Sequence, residues 1–445
     1  MIPVQEHAER ILDALTPLPP RATSLLEAQG CVLAADVTAL VPLPGFDNSA
    51  MDGYAVRSAD VAALLSGDGI DDADRVPIVL PVAGDIAAGD RRELTVLPGH
   101  AYRIMTGAPL PAGADVIVPV ELTDGGTSTE ITAPSEGDVT RVEIRATDGV
   151  GRHIRRAGED VQAGDVVLRA GTRLGPRQLA VAAAVGYGEL HVHPRPKVVC
   201  LSTGDELVAP GTVPGFGEVV DSNSLMLVAA LREAGFDAHL VSGVRDTEEA
   251  VMVALAEQLD HADALVTTGG VSMGAYDAVK AALSQLGTVR FDQVAMQPGK
   301  PQGFGTLCGE GERRVPIFTL PGNPVSALVS FEVFVAPALR LLSGRSPEVG
   351  ARIRARVLDG WRSTAGKVQF VRGIVELVDL ADDPASGEGP TIRATVRSAG
   401  GQGSHVLHAL SAANALVVVP AHVEQVHPGD VLECRALGAG WTTDG

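Results

Sequence analysis

The stretch ALVTTGGVSMG, Ala264–Gly274, decides how the rest of the chain is read. Ala264, Leu265 and Val266 run into two threonines and then two glycines. A short apolar run that stops this way reads as a buried parallel strand ending at a sheet edge over a ligand. Gly269 and Gly270 accept positive φ and carry no Cβ to block a close approach. Ser272 adds a hydroxyl near the next helix, expected from Tyr276 to Leu286, and helix starts favour anions.

The same texture extends on both sides. From Lys197 to about Leu342, apolar runs alternate with helical patterns: VVCLS, a helix Ser224–Ala234, HLVSGV, a helix Glu248–Leu259, then ALVTTGG and its helix. VRFDQVAM, GFGTL and VPIFTL follow, and a closing helix starts at Pro324. Alternating strands and helices predict βαβ units and a mostly parallel sheet, with ligands at the carboxyl ends of the strands. From about Glu348 to Gly440, short alternating runs predict a closed antiparallel barrel or sandwich.

Towards the N-terminus, Val4, Ala8, Ile11, Leu12 and Leu15 have helical spacing, ended by Pro17, Pro19 and Pro20. A second helix is expected from Thr23 to Gly30. Helices this short must pack on later parts of the chain or on a second subunit. Pro42–Arg57 is a Pro/Gly/Asp/Asn loop, and Tyr54–Thr147 reads as a small, mainly β domain. Gly151–Gly175 carries tight turns before an Ala-rich helix at Gln178–Val185, a return connection expected to pair with the N-terminal helices. The predicted fold is therefore a multidomain α/β protein. An N-terminal helical and linker domain takes residues 1–45 with 150–180, a small β-rich domain 46–149, the central α/β domain 181–343, and a C-terminal β-barrel 346–440.

At 445 residues the chain exceeds one ordinary domain. Its 55 acidic against 35 basic residues give a net charge of −20, which argues against nucleic acid as a partner. Cys31, Cys200, Cys308 and Cys434 are too scattered for metal or redox spacing, as expected of buried thiols in a reducing cytoplasm. The N-terminus lacks a signal-peptide core. Val325–Leu342 is apolar, but Glu332, Pro337 and Arg340 make it a buried helix rather than a membrane span.

Chemistry concentrates in the turns. STGDEL presents Ser202, Thr203, Gly204, Asp205 and Glu206; DSNS presents Asp221 and Asn223, as ligand residues or helix caps in about equal measure. Asp160, Asp205, Glu206, Asp221 and Asp277, if they converge, need Mg²⁺ or a basic partner. Lys300, in PGKP, is held between prolines and suits an oxyanion. In LPGNPVS, Asn323 can cap the closing helix with Pro324 at its first position. Arg372 can fork onto an oxyanion or form a surface ion pair. No nucleophile elbow, P-loop, HExxH or GxGxxG is present.

DNSAMDGYAVR, RIMTGAPLP, IRRAGED, LSTGDEL, DSNS, TTGGVSMG, PGKP and LPGNPVSAL, in this order, resemble the molybdopterin molybdenumtransferases, the molybdenum insertases related to the gephyrin E domain. The resemblance covers nearly the whole chain. It implies an elongated homodimer of four-domain chains, with the N-terminal helices at the dimer contact. It also implies insertion of molybdenum from molybdate into adenylated molybdopterin with release of AMP, aided by Mg²⁺. By motif, Asp52, Thr106 and Asp160 fall in the dimer-facing part of the cleft. Asp205, Glu206 and Asp221 fall near metal and phosphate. Ser272, Asp277, Lys280 and Lys300 fall around molybdate and pterin, with Gly269 and Gly270 in the same turn. Pro321, Asn323, Pro324 and Ser326 fall at the mouth, and Arg372 and Ser404 on the barrel's oxyanion side. The catalytic set expected is Asp52, Asp160, Asp205, Glu206, Lys280 and Lys300. Gln297 and Ala275 depart from the family's usual Lys and Asp, losing one charge of each sign. Pterin adenylylation and a non-catalytic scaffold of the gephyrin type are the alternative readings.

Overall fold

The computed structural model describes residues 1–65, 76–125, 140–270, 277–309, 313–348, 350–379, 392–404 and 406–438. At its centre is a six-stranded sheet. Its strands are β1 (Lys197–Thr203), β2 (Asp237–Val244), β3 (Ala264–Thr268), β4 (Val289–Gln293), β5 (Pro301–Cys308) and β6 (Arg314–Leu320), in the order β2-β1-β3-β6-β5-β4. The first four in that order are parallel; β5 runs antiparallel to both its neighbours, so β4 at the edge points the same way as the first four. Every residue of β3 is buried, the apolar Ala264–Val266 and the two threonines that follow, as befits a central parallel strand.

Register sets where the site can be. Ser202 lies beside Thr268, and Thr268 beside Leu320. Gly303 lies beside Thr319 on the antiparallel strand, so Lys300, just before β5, falls at the same edge. The turns after β1, β3 and β6 and the turn before β5 therefore share one rim.

The sheet is covered by α2 (Asn223–Glu233), α3 (Glu248–Gln258), α4 (Ala278–Gln285) and a closing helix. The closing helix runs from Pro324 through a π-turn at Phe331–Val335 to Leu342. By composition it could cross a membrane, but it is mostly buried, with Val325, Phe331, Phe334 and Leu339 in the core.

The N-terminal helix α1 (Val4–Asp13) joins this core and not residues 150–180. Ile11 and Leu15 enter it, and His7 packs edge-on to Phe334 at 4.8 Å. The expected helix at Thr23–Gly30 is instead a strand, Arg21–Ser24, followed by turns. That strand pairs with Glu189–His193. Its β-branched Thr23 is buried by that pairing, which local helix preference does not anticipate. Residues 28–39 share their own small core with Leu174, Ala182, Val185, Leu190 and Val192, so this unit extends past residue 180. Ile154–Arg155 pairs with Asn48–Ser49 rather than with a helix.

The small β domain is a five-stranded sheet around Gly53–Val56. The C-terminal domain is a closed barrel of β7 (Arg352–Val357), β8 (Val368–Asp379), β9 (Ile392–Ser398), β10 (Ala415–Val419) and β11 (Val431–Ala436). Pairing of β8 with β10 closes it. It is not wholly antiparallel, because β7 and β9 run parallel.

Candidate functional site

At the shared rim a cavity of about 390 Å³ opens among three of the turns. Its walls are Thr203, Glu206 and Leu207 after β1, Val219–Asn223 before α2, Thr268 and Gly269 after β3, and Gly322–Pro324 after β6. Gly269, at φ +91°, permits the contact: a Cβ there would stand 3.0 Å from the Thr203 carbonyl. Asn223 ties the turns together. Its Nδ2 donates to Thr268 Oγ1 at 3.1 Å and to the Gly322 carbonyl at 2.5 Å.

The acids divide into two roles. Asp221 is 7% exposed and accepts the Ser224 N–H at 3.1 Å and its hydroxyl at 2.5 Å. It holds the buried first turn of α2, its carboxylate engaged by Ser224 at the wall of the cavity that Glu206 also lines. Asp205 accepts the Asp246 N–H at 3.2 Å. Asp246 is half-buried with an unpartnered Oδ1, and its carboxyl is raised above the usual aspartate range by burial and then by Glu206 and Asp205. Among the described residues no three His, Cys, Asp or Glu side chains form a metal-binding group. The crowding of Asp205, Glu206 and Asp246 nonetheless fits a hydrated cation, since Mg²⁺ commonly binds one or two carboxylates and keeps several waters. Asp246 was missed because VRDTEE looks like a helix start; its place directly after a strand was the available signal.

Three family models match the chain. They are a MoeA N-terminal region (domain I and II) over residues 2–186, a probable molybdopterin binding domain over 199–341, and a MoeA C-terminal region (domain IV) over 354–437. The chain is 43% identical over 436 residues to molybdopterin molybdenumtransferase 2 of Mycobacterium tuberculosis, covering 97% of this chain and 98% of that one. The chain belongs to the molybdopterin molybdenumtransferase family. It is also 32% identical to the Haemophilus influenzae molybdopterin molybdenumtransferase over 97% and 98% of the two chains. A MoeA crystal structure from Pyrococcus horikosii superposes with a TM-score of 0.72 at 27% identity, covering 98% of this chain and 99% of that one.

The remaining family motifs take clear positions. Lys300 is exposed at the rim, where Gln302 anchors its turn by donating to the Gly299 carbonyl and to Ser330 Oγ, both at 2.6 Å. Lys280 is half-buried on α4, its N–H bonded to the Gly270 carbonyl at 3.1 Å. Asp277 stands at the N-cap of α4, and Gly270 at φ +69° passes so near it that a Cβ would meet Val279 at 2.5 Å. Ser202 and Ser326 are buried at the strand end and in the first turn of the closing helix. Gly204 turns beneath Glu206, whose carboxylate would touch a Cβ there at 2.8 Å. Pro321 offers its carbonyl to Thr268 Oγ1 at 3.5 Å. Pro324 opens its helix as expected, whereas Asn323 makes no side-chain cap and donates to Ser404 Oγ at 3.2 Å. Ser272 lies outside the described residues.

Arg372 takes neither of the two expected roles. It is 1% exposed and donates to the Gly401 and Gly403 carbonyls, so it clamps the loop that carries Ser404. Asp52, Thr106 and Asp160 do not line the cavity. Asp52 accepts the Thr106 N–H at 2.6 Å and its hydroxyl at 2.8 Å, which holds the Asp52 carboxyl below its usual range. Asp160 is exposed, with its N–H on the Leu43 carbonyl at 3.0 Å.

Proposed function

We infer that the protein is a molybdopterin molybdenumtransferase, an enzyme of molybdenum-cofactor synthesis that inserts molybdenum from molybdate into adenylated molybdopterin and releases AMP. One observation carries the reading: the STGDEL, DSNS, TTGG, PGKP and LPGNP turns, far apart in sequence, share one sheet rim. Two anionic reactants need such a rim. Lys280 and Lys300 supply positive charge for molybdate, and Ser404, held through Asn323 and Arg372, brings a hydroxyl from the barrel side. Asp205 and Glu206, backed by Asp246, would hold Mg²⁺ through oxygen ligands and water. When bound, the ion supplies charge neutralisation at the phosphates. What the chain itself contributes is positioning and exclusion of competing arrangements, in keeping with the absence of a nucleophile motif.

The working form proposed is an elongated cytoplasmic homodimer. Within one chain the cavity wall draws on residues 203–324, so Asp52 and Thr106 of the small domain, with Asp160 of the adjoining N-terminal unit, would complete the cleft from the second subunit. The decisive experiment supplies the protein with adenylated molybdopterin, Mg²⁺ and molybdate, then adds a molybdenum-free apoenzyme that needs the cofactor. Recovery of the apoenzyme's activity is expected. Failure to recover it, with all components intact, would remove the assignment.

A further inference from the structure

A second cavity, of about 690 Å³, lies where α1, the closing helix and the barrel meet. Among the described residues none of its wall is shared with the rim cavity. Val4, Ala8 and Leu12 stand four residues apart and so share one face of α1. They form one side of the cavity, with Val333 of the closing helix and Phe370 and Leu416 of the barrel opposite. A concave apolar wall of this size suits a large apolar body.

One acid interrupts that wall. Glu332 lines the cavity, and its carboxyl group has no hydrogen bond or ion pair to another described residue. Burial first and Glu233 second push it up to about 7. An acceptor set in apolar surroundings is costly until a donor reaches it. The occupant called for is therefore a bulky apolar side chain with one donor. Tryptophan is such a side chain: it buries about 150–250 Å² and carries a single N–H.

The chain brings one to the edge of the cavity. Ala436, at the end of β11, lines it, and Leu437 packs on the core beside it. A Cβ on Gly438 would stand 2.9 Å from Glu233 Oε1, on the glutamate that also acts on Glu332. Residues 439–445, AGWTTDG, follow and lie outside the described residues. Trp441 is three residues past Gly438, a reach of about 10 Å in extended chain. Ala439 and Gly440 between them add little bulk.

We propose that Trp441 seats in this cavity with its indole N–H donating to Glu332, so that the C-terminal segment latches the barrel to α1 and the closing helix. The latch fixes the barrel, and with it the loop that carries Ser404, relative to the α/β domain.

The chain has two tryptophans, so Trp361→Phe leaves Trp441 as the sole emitter. Its native emission is expected to the blue of the urea-unfolded chain, with acrylamide quenching slowed several-fold. Ala8→Phe, which fills the cavity from the α1 side, should return quenching close to the unfolded rate. Glu332→Gln, which keeps an acceptor oxygen, should leave it slow. Unshielded native emission, shielding indifferent to Ala8→Phe, or shielding lost in Glu332→Gln would each overturn the proposal. Shielding that disappears on dilution would overturn it too, because the occupant would then be the tail of a second copy. A second measurement keeps the native Trp361. Hydrogen exchange of Val4–Asp13 should be several-fold faster in full-length Trp441→Ala than in wild type, and equal exchange would reject the latch.

Discussion

Asp246 sits among Asp205 and Glu206 with an orphaned oxygen, and its carboxyl is raised by burial and by both neighbours. Folding thus disfavours its charged form. The contribution to stability is full below the ordinary aspartate range and is lost as pH rises through the raised value. Asp246→Asn should therefore increase the thermal midpoint slightly at pH 7.5 without divalent cations, by about 1–2 °C. The gain should vanish in millimolar Mg²⁺, because the cation neutralises the same cluster. A calorimetric scan in each buffer checks this, and a gain indifferent to Mg²⁺ would deny the acids a role in cation binding. Arg372 offers a second residue-scale case. Lysine cannot reproduce its fork onto Gly401 and Gly403, so Arg372→Lys should speed amide exchange at Ala399–Ser404 while the central sheet keeps its protection. The sequence exposed Arg372 as a candidate but not its burial, since a guanidinium that serves backbone carbonyls has no linear signature.

Among the elements, the closing helix is the most revealing. Its π-turn places Glu332 beside apolar neighbours, where burial first and Glu233 second push the carboxyl up to about 7. The sign follows that of Asp246: stability is full below about pH 4.5 and is lost as pH rises through 7. Glu332→Gln should leave the thermal midpoint unchanged at pH 4 and raise it by a few degrees at pH 8. Strand β5 tests the sheet that carries the rim. A Cβ on Gly303 would stand 1.9 Å from Thr319 Oγ1 and 2.8 Å from the Phe291 ring. Gly303→Ala should cost about 1–3 kcal/mol in denaturant unfolding and loosen the Lys300 turn. The helices of the α/β domain were legible because their apolar runs alternate with strands over whole turns, although only Thr247 makes the side-chain cap that a helix start favours. Thr23–Gly30 was not, because its strand exists only through pairing with Glu189–His193, which lies far along the chain.

For the whole molecule, the legible part was the order of its turns and the illegible part was which units share a core. The expected parallel sheet is present, with its rim where the Gly-rich turns end. The first helix, by contrast, belongs to the α/β core through Ile11 and Leu15, a long-range choice that local periodicity does not record. The barrel closes with one parallel pair for the same reason. The account stands on both reactants meeting at that rim. The measurement closest to this claim is the AMP released from adenylated molybdopterin in the presence of Mg²⁺, followed with and without molybdate. Release in step with the molybdenum incorporated, and negligible release without molybdate, is the result predicted. AMP release at the same rate whether or not molybdate is present would contradict it.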